Sequence, residues 1–403
     1  MSNQLVSGMP TVSIESVPTY EREQVASGLR RLLEPLGGMA AFVRPGERVL
    51  LKPNLLMAKP PEAAVTTHPE VVRAVILEVQ RAGAIPLVGD SPGVGSYKKI
   101  AEKCGIAAVC AETGAELVEF REALTVKGSG IFRQIELARP YLEADRIINL
   151  PKLKTHEMMT MTCAVKNLFG AVVGTEKATW HLKAGSTRQL FARLLLEIYL
   201  LKKPSLTVVD ALMAMEGNGP GSGTPIKRGV LLAGANPVAV DVIAAQLAGI
   251  PAELLPIAQE ALTMGLPGAS RSDIKLTGTP YDSLPVMKFK LPTGLDTRFG
   301  LPPFLATALK NQLTSYPVAD RSRCVVCGIC RDACPPEAIT ITNSALSIDK
   351  ARCIRCWCCR ELCPHDAMAI DQGMLLRVLK GISRSRRTVP QDSSSSDPMG
   401  ISR

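Results

Sequence analysis

The chain has 403 residues, of which 46% are hydrophobic and 4% aromatic, and its formal net charge is +10. That length suits two or three domains with a large core, while the scarcity of aromatics argues against a basic, aromatic-lined nucleic-acid surface. Met1–Pro10 lacks the apolar stretch of a secretory signal, and the Leu-rich run Phe191–Leu201 is far shorter than the ~20 apolar residues of a membrane span. We therefore expect a soluble, cytoplasmic protein with no nucleic-acid partner and no membrane span.

Residues 1–300 alternate between apolar strands and helical patterns. The predicted elements are strands at Arg48–Leu51, Ile85–Val88, Arg146–Leu150, Ser205–Val209 and Gly229–Leu232, with helices at Tyr20–Leu36, at Thr67–Ala82 and after Asn236. Thr67 and Glu70 have the spacing of a capping box. Continuous apolar strands that alternate with helices indicate an α/β fold, with a mostly parallel sheet covered by helices.

Polar side chains recur directly after these strands. They are Lys52, Asn54, Asp90, Ser91, Lys152, Asp210 and Asn236. Because the ligands of open α/β sheets bind beyond the carboxyl ends of the strands, we predict a shared crevice in which Asp90, Asp210 and Asn236 contact the ligand. The alternative is that these residues reflect the ordinary polarity of loops.

The segment from Asn149 to His181 is rich in cations, with lysines at positions 152, 154, 166 and 177. Several cations near a sheet edge suit an anionic ligand such as a carboxylate, a phosphate or a nucleotide, and a buried lysine can also act as a base or nucleophile. Asp241 lies in an apolar helix, where it needs a cation or hydrogen-bond donors, and Lys152 or Lys166 would be a natural partner. The predicted catalytic residues are Lys152, Lys154, His156, Lys166 and Asp241.

Two alternatives remain open for this set. The lysine-rich segment could be a solvated basic loop, as most charge runs are. Asp241 could be a charge near a helix start that the helix dipole favours. The glycine-rich loop Glu216–Gly223 is a weak nucleotide signal, because no Gly-Lys-Ser/Thr follows it and a proline interrupts it.

Residues from about 48 to 250 resemble the uncharacterised bacterial and archaeal family catalogued as domain of unknown function 362. The motifs that carry the resemblance are Leu51-Lys52-Pro53-Asn54, Thr67-His68-Pro69-Glu70, Gly89-Asp90-Ser91-Pro92-Gly93, Pro151-Lys152-Leu153-Lys154-Thr155-His156, Ala164-Val165-Lys166-Asn167-Leu168-Phe169-Gly170, Met215-Glu216-Gly217-Asn218-Gly219-Pro220 and Asn236-Pro237-Val238-Ala239-Val240-Asp241. Members of that family are often fused to a ferredoxin-like module. The resemblance therefore implies a two-part domain plan, but it names no substrate.

The pattern C-x2-C-x2-C-x3-C-P occurs twice between Cys324 and Cys363. Thiolates are soft ligands that suit iron–sulfur clusters, and in this pattern the fourth cysteine ligates the other cluster. The predicted metal ligands are Cys324, Cys327, Cys330 and Cys363 for one 4Fe-4S cluster and Cys353, Cys356, Cys359 and Cys334 for a second. The stretch resembles the two-cluster bacterial ferredoxins. Zinc would not explain the third cysteine and the Cys-Pro in each copy.

Cys358 lies between two predicted ligands but outside their register. It is either a spare thiol or a substitute ligand. We favour the spare thiol, because the register already supplies eight ligands.

These observations predict four regions. They are an α/β domain at 1–300, a linker at 301–319, a small α+β ferredoxin-like domain at 320–373, and a basic, Ser-rich, largely disordered tail at 374–403. We expect an iron–sulfur oxidoreductase with two 4Fe-4S clusters that exchanges electrons with a redox partner protein or low-potential donor and acts on an anionic small molecule. The alternative is a non-catalytic electron-transfer or assembly partner whose large domain docks another protein.

Overall fold

The computed structural model of the protein describes residues 8–92, 95–174, 176–184, 187–284, 288–292, 315–334, 336–343 and 345–372. The predicted tail, 374–403, and residues 301–314 of the predicted linker lie outside these ranges, as do Gly93 and Pro335 of the motifs. In the described part of the chain, no helix has the length and apolarity that crossing a membrane requires.

A mixed sheet organises the large domain. The strands up to residue 292 are β1 (Thr11–Ser16), β2 (Arg48–Pro53), β3 (Ile85–Asp90), β4 (Glu116–Glu119), β5 (Ala123–Lys127), β6 (Gln134–Ala138), β7 (Arg146–Leu150), β8 (Lys152–His156), β9 (Thr160–Thr162), β10 (Leu206–Glu216), β11 (Thr224–Gly234) and β12 (Lys275–Gly278). The main order is β12-β1-β11-β10-β7-β2-β3-β4, β8 also pairs with β10 and β9, and β5 and β6 form a separate hairpin. Strands β10, β7, β2, β3 and β4 are parallel to their neighbours in that run. The expected α/β fold is confirmed.

Helices cover both faces of this sheet. They are α1 (Arg22–Leu33), α2 (Pro69–Arg81), α3 (Tyr97–Lys103), α4 (Ile106–Thr113), α5 (Arg139–Glu143), α6 (Ala164–Asn167), α7 (Glu176–Ala184), α8 (Arg188–Leu201), α9 (Pro237–Leu247) and α10 (Pro256–Thr263). Side chains of β2 alternate between the faces, because successive strand residues point in opposite directions. Val49 and Leu51 join the core under α1 and α2, and Leu50 joins the core under α8. A helix-covered sheet leaves the strand ends as the accessible edge.

The predicted capping box at Thr67 is wrong. The N-cap of α2 is His68, whose Nδ1 accepts the Glu70 N–H at 3.2 Å. The Thr67 hydroxyl instead donates to the Leu150 carbonyl at 2.6 Å and accepts the Asn54 N–H at 2.9 Å. Thr67 therefore joins the ends of two neighbouring strands, a role that the local sequence does not reveal.

The small C-terminal domain consists of two antiparallel strand pairs and two short helices. Its elements are β13 (Ser315–Ala319), α11 (Ile329–Asp332), β14 (Ile339–Thr342), β15 (Ala345–Ile348), α12 (Cys358–Glu361) and β16 (Met368–Gln372). Strand β13 pairs with β16, and β14 pairs with β15. Strand β13 lies within 301–319, the range predicted as a linker, and pairs with β16 of the small domain. Strand β13 contains Pro317. A proline favours irregular structure in a sequence-based prediction, and the partner strand β16 lies about 50 residues later in the chain.

Candidate functional site

A cavity of about 280 Å³ lies beyond the carboxyl ends of β2, β3 and β8 and is closed by the small domain. Its large-domain wall includes Asn54, Leu55, Asp90, Lys154, His156, Lys166, Phe169, Lys177 and His181. Its small-domain wall consists of Ile329, Asp332, Ala333, Cys358, Glu361 and Leu362. The cavity therefore lies where α/β sheets bind ligands, but a second domain completes it.

The small-domain wall is built from equivalent positions of the two cysteine repeats. Ile329 and Cys358 each lie two residues after the second cysteine of their repeat, and Asp332 and Glu361 each lie five residues after it. These residues belong to α11 and α12, so both repeats present the same helical turn to the cavity. Sequence reasoning missed this wall, although the internal repeat gave a signal that the two turns are related.

Lys52 and Asp90 form a buried ion pair at the cavity edge. The Lys52 ammonium donates to Asp90 Oδ1 at 2.6 Å, and Asp90 Oδ2 accepts the Leu55 N–H at 2.9 Å. Gly170 lies against this pair, where a Cβ would overlap both charged groups. The absence of a side chain at this position therefore lets the backbone of residues 168–171 pass over the pair.

Lys154 is fully buried and Lys177 is partly buried, and the ammonium groups of both meet neutral oxygens. Lys154 donates to the Asn54 side-chain oxygen at 2.9 Å and to the Val65 carbonyl at 2.7 Å. Lys177 donates to the carbonyls of Ser91 and Val172 at 2.7 and 2.6 Å. Burial lowers the pKa of each lysine to about 7. Both ammonium groups are held in place without a carboxylate in hydrogen-bond contact.

Lys166 differs from these lysines because its ammonium makes no hydrogen bond or ion pair with any residue that the structure describes. It lies 5.7 Å from the ring centroid of Phe169 and 5.8 Å from that of Phe191. Its side chain lines the cavity, and the residue is 9% exposed. Aromatic faces attract a cation, but they do not replace the hydrogen bonds of an ammonium group removed from water.

His156 joins the two domains. Its Nδ1 accepts the N–H groups of Met158 and Met159 at 3.0 and 3.1 Å, so the proton of the neutral ring is on Nε2. Nε2 lies 2.7 Å from Glu361 Oε1 of the small domain. Burial, reinforced by the Lys166 charge, lowers the pKa of His156 to about 4. At neutral pH the contact is therefore between a neutral imidazole and a carboxylate.

Glu361 is the carboxylate that the small domain supplies to the cavity. Burial raises the pKa of Glu361, but His156 and Lys166 outweigh that effect and lower it to about 2. His181 lies on the opposite domain, 4% exposed, with its ring stacked on Phe191 at 4.4 Å between centroids. The buried Nδ1 of His181 has no hydrogen-bond partner among the described residues, so the cavity wall contains an unused polar atom.

A second ion pair lies beside this contact at the domain interface. Arg360 Nη1 is 3.1 Å from Glu157 Oε1, and both side chains are buried. Trp357 of the small domain is 4% exposed and packs into the large-domain core that contains Phe169 and Phe191. The two domains therefore share an interface with buried charges and a buried indole, where the sequence suggested only a linker between them.

Lys152 and Asp210 do not line the cavity, contrary to the sequence-based prediction of one shared crevice. They form their own buried ion pair at 2.8 Å. The Tyr20 hydroxyl donates to Asp210 at 2.6 Å and accepts from Lys152 at 2.8 Å, and the His68 N–H donates to Asp210 at 2.8 Å. Through Tyr20, which precedes α1, these hydrogen bonds connect the N-terminal part of the chain to strand β10 next to its β-bulge. Lys154 and His156 of the same strand line the cavity, so the pairing with Asp210 and Tyr20 is what separates Lys152 from them.

Asp241 and Asn236 also lie away from the cavity. The Asp241 carboxylate accepts the N–H groups of Ala164 and Val165 at 2.6 and 3.0 Å, which caps the first turn of α6. Burial raises the pKa of Asp241 to about 7, although the two amides oppose this change. Asn236 caps α9, where its Oδ1 accepts the N–H groups of the second and third helical residues. The lysine partners proposed for Asp241 are therefore wrong, because backbone donors satisfy its carboxylate.

Asp241→Ala is expected to destabilise the large domain by about 1–3 kcal/mol, because two buried N–H groups lose their acceptor. A melting temperature lower by a few degrees would show this loss. Asp241→Asn should have a smaller effect, since one side-chain oxygen remains. An Asp241→Ala protein with unchanged stability but altered ligand binding would contradict the capping role.

The eight motif cysteines form two sets that alternate between the repeats. One small cavity is lined by Cys324, Cys327, Cys330 and Cys363. A second is lined by Cys334, Cys353, Cys356 and Cys359, together with Cys358. In each set, the fourth motif cysteine comes from the other repeat. Four thiolates around one small cavity match the donors of a 4Fe-4S cluster.

The backbone around each set has the same conformation in both repeats. Positive φ angles occur at the equivalent pairs Val326 and Arg355, Gly328 and Trp357, and Glu337 and Asp366. The Ala338 N–H donates to Cys334 Sγ at 3.3 Å, and the Ala367 N–H donates to Cys363 Sγ at 3.2 Å. Such amide donors stabilise thiolate sulfur and tune a bound cluster. The loops therefore fit anionic, cluster-bound sulfur.

Within the described ranges, no three His, Cys, Asp or Glu side chains converge tightly enough to hold a single metal ion. The cysteine sets are judged instead by the demands of a cluster, whose four ligands bind separate corners. Outside the motif, Cys104, Cys110 and Cys163 are buried in the large domain.

The fold and the cysteine sets together define an α/β protein joined to an iron–sulfur domain of ferredoxin type. The chain belongs to the family described as Domain of unknown function (DUF362), whose model matches residues 49–246. Residues 317–340 match the model of the 4Fe-4S binding domain. The family resemblance and its C-terminal iron–sulfur module are thereby confirmed, and the chain is a 4Fe-4S-binding protein.

Two further proteins are similar to this chain. The thylakoid-associated protein sll1697 of Synechocystis sp. is 40% identical over 302 residues, which cover 75% of this chain and 94% of that protein. The structure of the lactate racemase apoprotein from Thermoanaerobacterium thermosaccharolyticum has 8% sequence identity and a TM-score of 0.40, covering 62% of this chain and 59% of the racemase chain. The likeness to the racemase is too low to bear on function.

Proposed function

We propose that the protein holds two 4Fe-4S clusters and carries electrons between a redox partner protein and an anionic small molecule in the cavity. One observation carries this proposal: for each cysteine set, one residue lines both the space between the cysteines and the cavity. Ile329 lines both the cavity and the space of the first set, and Cys358 lines both the cavity and the space of the second set. Both clusters would thus be next to the ligand.

The exposure of the cysteines supports a direction for this path. Cys327 of the first set is exposed, whereas Cys356 and Cys359 of the second set are buried. A partner protein therefore reaches the first cluster, and the second cluster is shielded from solvent beside the cavity. Together they would supply the electron pair that most reactions of organic molecules need.

The alternative is a docking protein without chemistry of its own. The arrangement of the lysines favours the enzyme, because Lys154 and Lys166 are buried in the cavity wall and do not lie on an outer surface. A docking surface for another protein would keep its cations at the rim, in contact with water. Three lysines of the Lys-rich segment that would have served as a partner surface, Lys152, Lys154 and Lys166, are buried.

The test is to prepare the full chain anaerobically, denature it and identify released small molecules by mass spectrometry. We expect an organic anion in amounts comparable to the protein, and we expect its removal to change the EPR spectrum of the reduced clusters. Cluster spectra that are the same with and without any added anion would contradict the proposal and favour the docking protein.

We also propose a cytoplasmic location, because a reducing compartment keeps thiolate ligands available. The relative from Synechocystis is a thylakoid-associated protein, which makes association with a membrane surface the alternative. Cell fractionation with an antibody against the full chain separates the two, and recovery in the membrane fraction would overturn the cytoplasmic location.

A further inference from the structure

The cavity has an excess of positive charge around one unmatched ammonium group. Lys52 is paired with Asp90, and Glu361 is in contact with His156. These contacts use the buried carboxylates of the wall, since Asp332 is mostly exposed. Lys166 is left without a hydrogen-bond acceptor among the described residues. A buried ammonium group needs an anion or acceptor, so the expected occupant supplies one.

Two backbone amides in the described part of the cavity wall are already hydrogen-bonded and do not face a ligand. Phosphates are usually held by several free N–H groups at a glycine-rich loop or a helix N-terminus. In the described part of the wall, the Leu55 N–H donates to Asp90 and the Gly174 N–H donates to Ser91 Oγ. One unmatched ammonium group suits a singly charged group better than a phosphate.

The rest of the wall is mainly apolar. Phe169, Leu55 and Leu56 line it from the large domain, and Ile329 and Leu362 line it from the small domain. An occupant with one anionic end and a hydrocarbon remainder would bury both parts favourably. Its hydrocarbon end would then face Ile329 and Cys358, which are the residues adjoining the cysteine sets.

We infer that the cavity binds a small organic monocarboxylate, with the carboxylate on the Lys166 ammonium and the hydrocarbon part toward Ile329 and Cys358. This inference rests on the proposed function for the cavity and names the class of its ligand. It selects the carboxylate among the anions that the sequence allowed. The unused Nδ1 of His181 is a second polar atom in the same wall.

Calorimetric titration of the anaerobic, cluster-loaded full chain with benzoate, butyrate and inorganic phosphate tests this assignment. We expect a carboxylate to bind and phosphate to bind far more weakly. Lys166→Gln should weaken carboxylate binding roughly 10- to 100-fold, the loss expected for one charge-assisted hydrogen bond. Lys166→Arg keeps the charge and should retain most of the affinity. Lys275→Gln, at an exposed edge-strand lysine, is the matched control and should have no effect.

The outcomes separate this inference from the proposed function. Failure of both carboxylates to bind, equal affinity in Lys166→Gln, or tighter binding of phosphate overturns the carboxylate assignment. Phosphate binding that shifts the EPR spectrum of the reduced protein would still support electron transfer to an anion. A carboxylate that binds through Lys166 but leaves that spectrum unchanged would support the ligand class and count against the proposed function. Unchanged iron content and an unchanged melting temperature show that the Lys166 variants are loaded and folded.

Discussion

Replacing Cys356 with Ser is expected to halve the iron content of anaerobically prepared protein, from about eight to about four iron atoms per chain, with sulfide falling in parallel. Cys356 lines the second cysteine set, and a cluster that loses one of four thiolates should not survive preparation. Cys327→Ser should have the same effect through the first set. Iron and acid-labile sulfide analysis measures both. About one zinc and no sulfide in the parent protein would contradict the cluster assignment.

The double variant Cys327→Ser with Cys363→Ser tests the exchange of the fourth ligands. Both residues line the first set in the structure, so the double variant should still retain about four iron atoms. If each repeat instead held its own cluster with its own fourth cysteine, the two changes would damage both clusters and leave almost no iron.

Cysteines outside the register are the controls for this experiment. Cys104, Cys110 and Cys163 are buried in the large domain, away from the two sets. Their replacement should leave the iron content at its parent value. Cys358→Ala should do the same if Cys358 is a spare thiol beside the second set. Loss of iron in Cys358→Ala would make it a ligand and overturn that interpretation.

Arg360→Glu is expected to destabilise the docking of the small domain by about 3–5 kcal/mol, the usual cost of breaking a buried ion pair from one side. Arg360 is 3.1 Å from Glu157 across the interface, and both are buried. A glutamate at 360 would place two like charges next to each other, beside the contact of His156 with Glu361. Faster hydrogen exchange of β8, β9 and α12 would report the opened interface.

The internal repeat provides a matched control for this substitution. Arg331 occupies the equivalent position in the first repeat, but it is half exposed and pairs with its neighbour Asp332. Arg331→Glu should therefore change stability by less than about 1 kcal/mol. The double exchange Glu157→Arg with Arg360→Glu should restore part of the docking. Similar effects of Arg331→Glu and Arg360→Glu would show that the buried pair does not hold the domains together.

Local sequence patterns predict those features of the protein that depend on residues close together in the chain. The spacing of the cysteines predicts the iron–sulfur loops, because both the ligands and the left-handed residues of each loop lie within one repeat. The apolar strands and their helices predict the α/β fold, since backbone periodicity is a local property. The lysine-rich segment predicts Lys154, His156 and Lys166 as site residues, and all three line the cavity in the structure.

The interpretation of Asp241, Lys152 and Asp210 depended on partners that are far away in sequence. The sequence predicts a cationic partner for Asp241. In the structure its carboxylate instead caps α6, which begins more than 70 residues earlier in the chain. Lys152 and Asp210 each follow an apolar strand as expected, yet they pair with one another under Tyr20. Periodicity identifies a buried polar residue but not the atom that satisfies it.

Local sequence patterns predict thiolate ligands for iron–sulfur clusters, an α/β domain and a cationic segment at the ends of its strands. No such pattern predicts that two domains share the cavity. Glu361 reaches His156 across the interface, and Ile329 and Cys358 separate the cysteine sets from the cavity. Such a site forms by the packing of surfaces from chain segments about 200 residues apart, so no local pattern could encode which residues would meet.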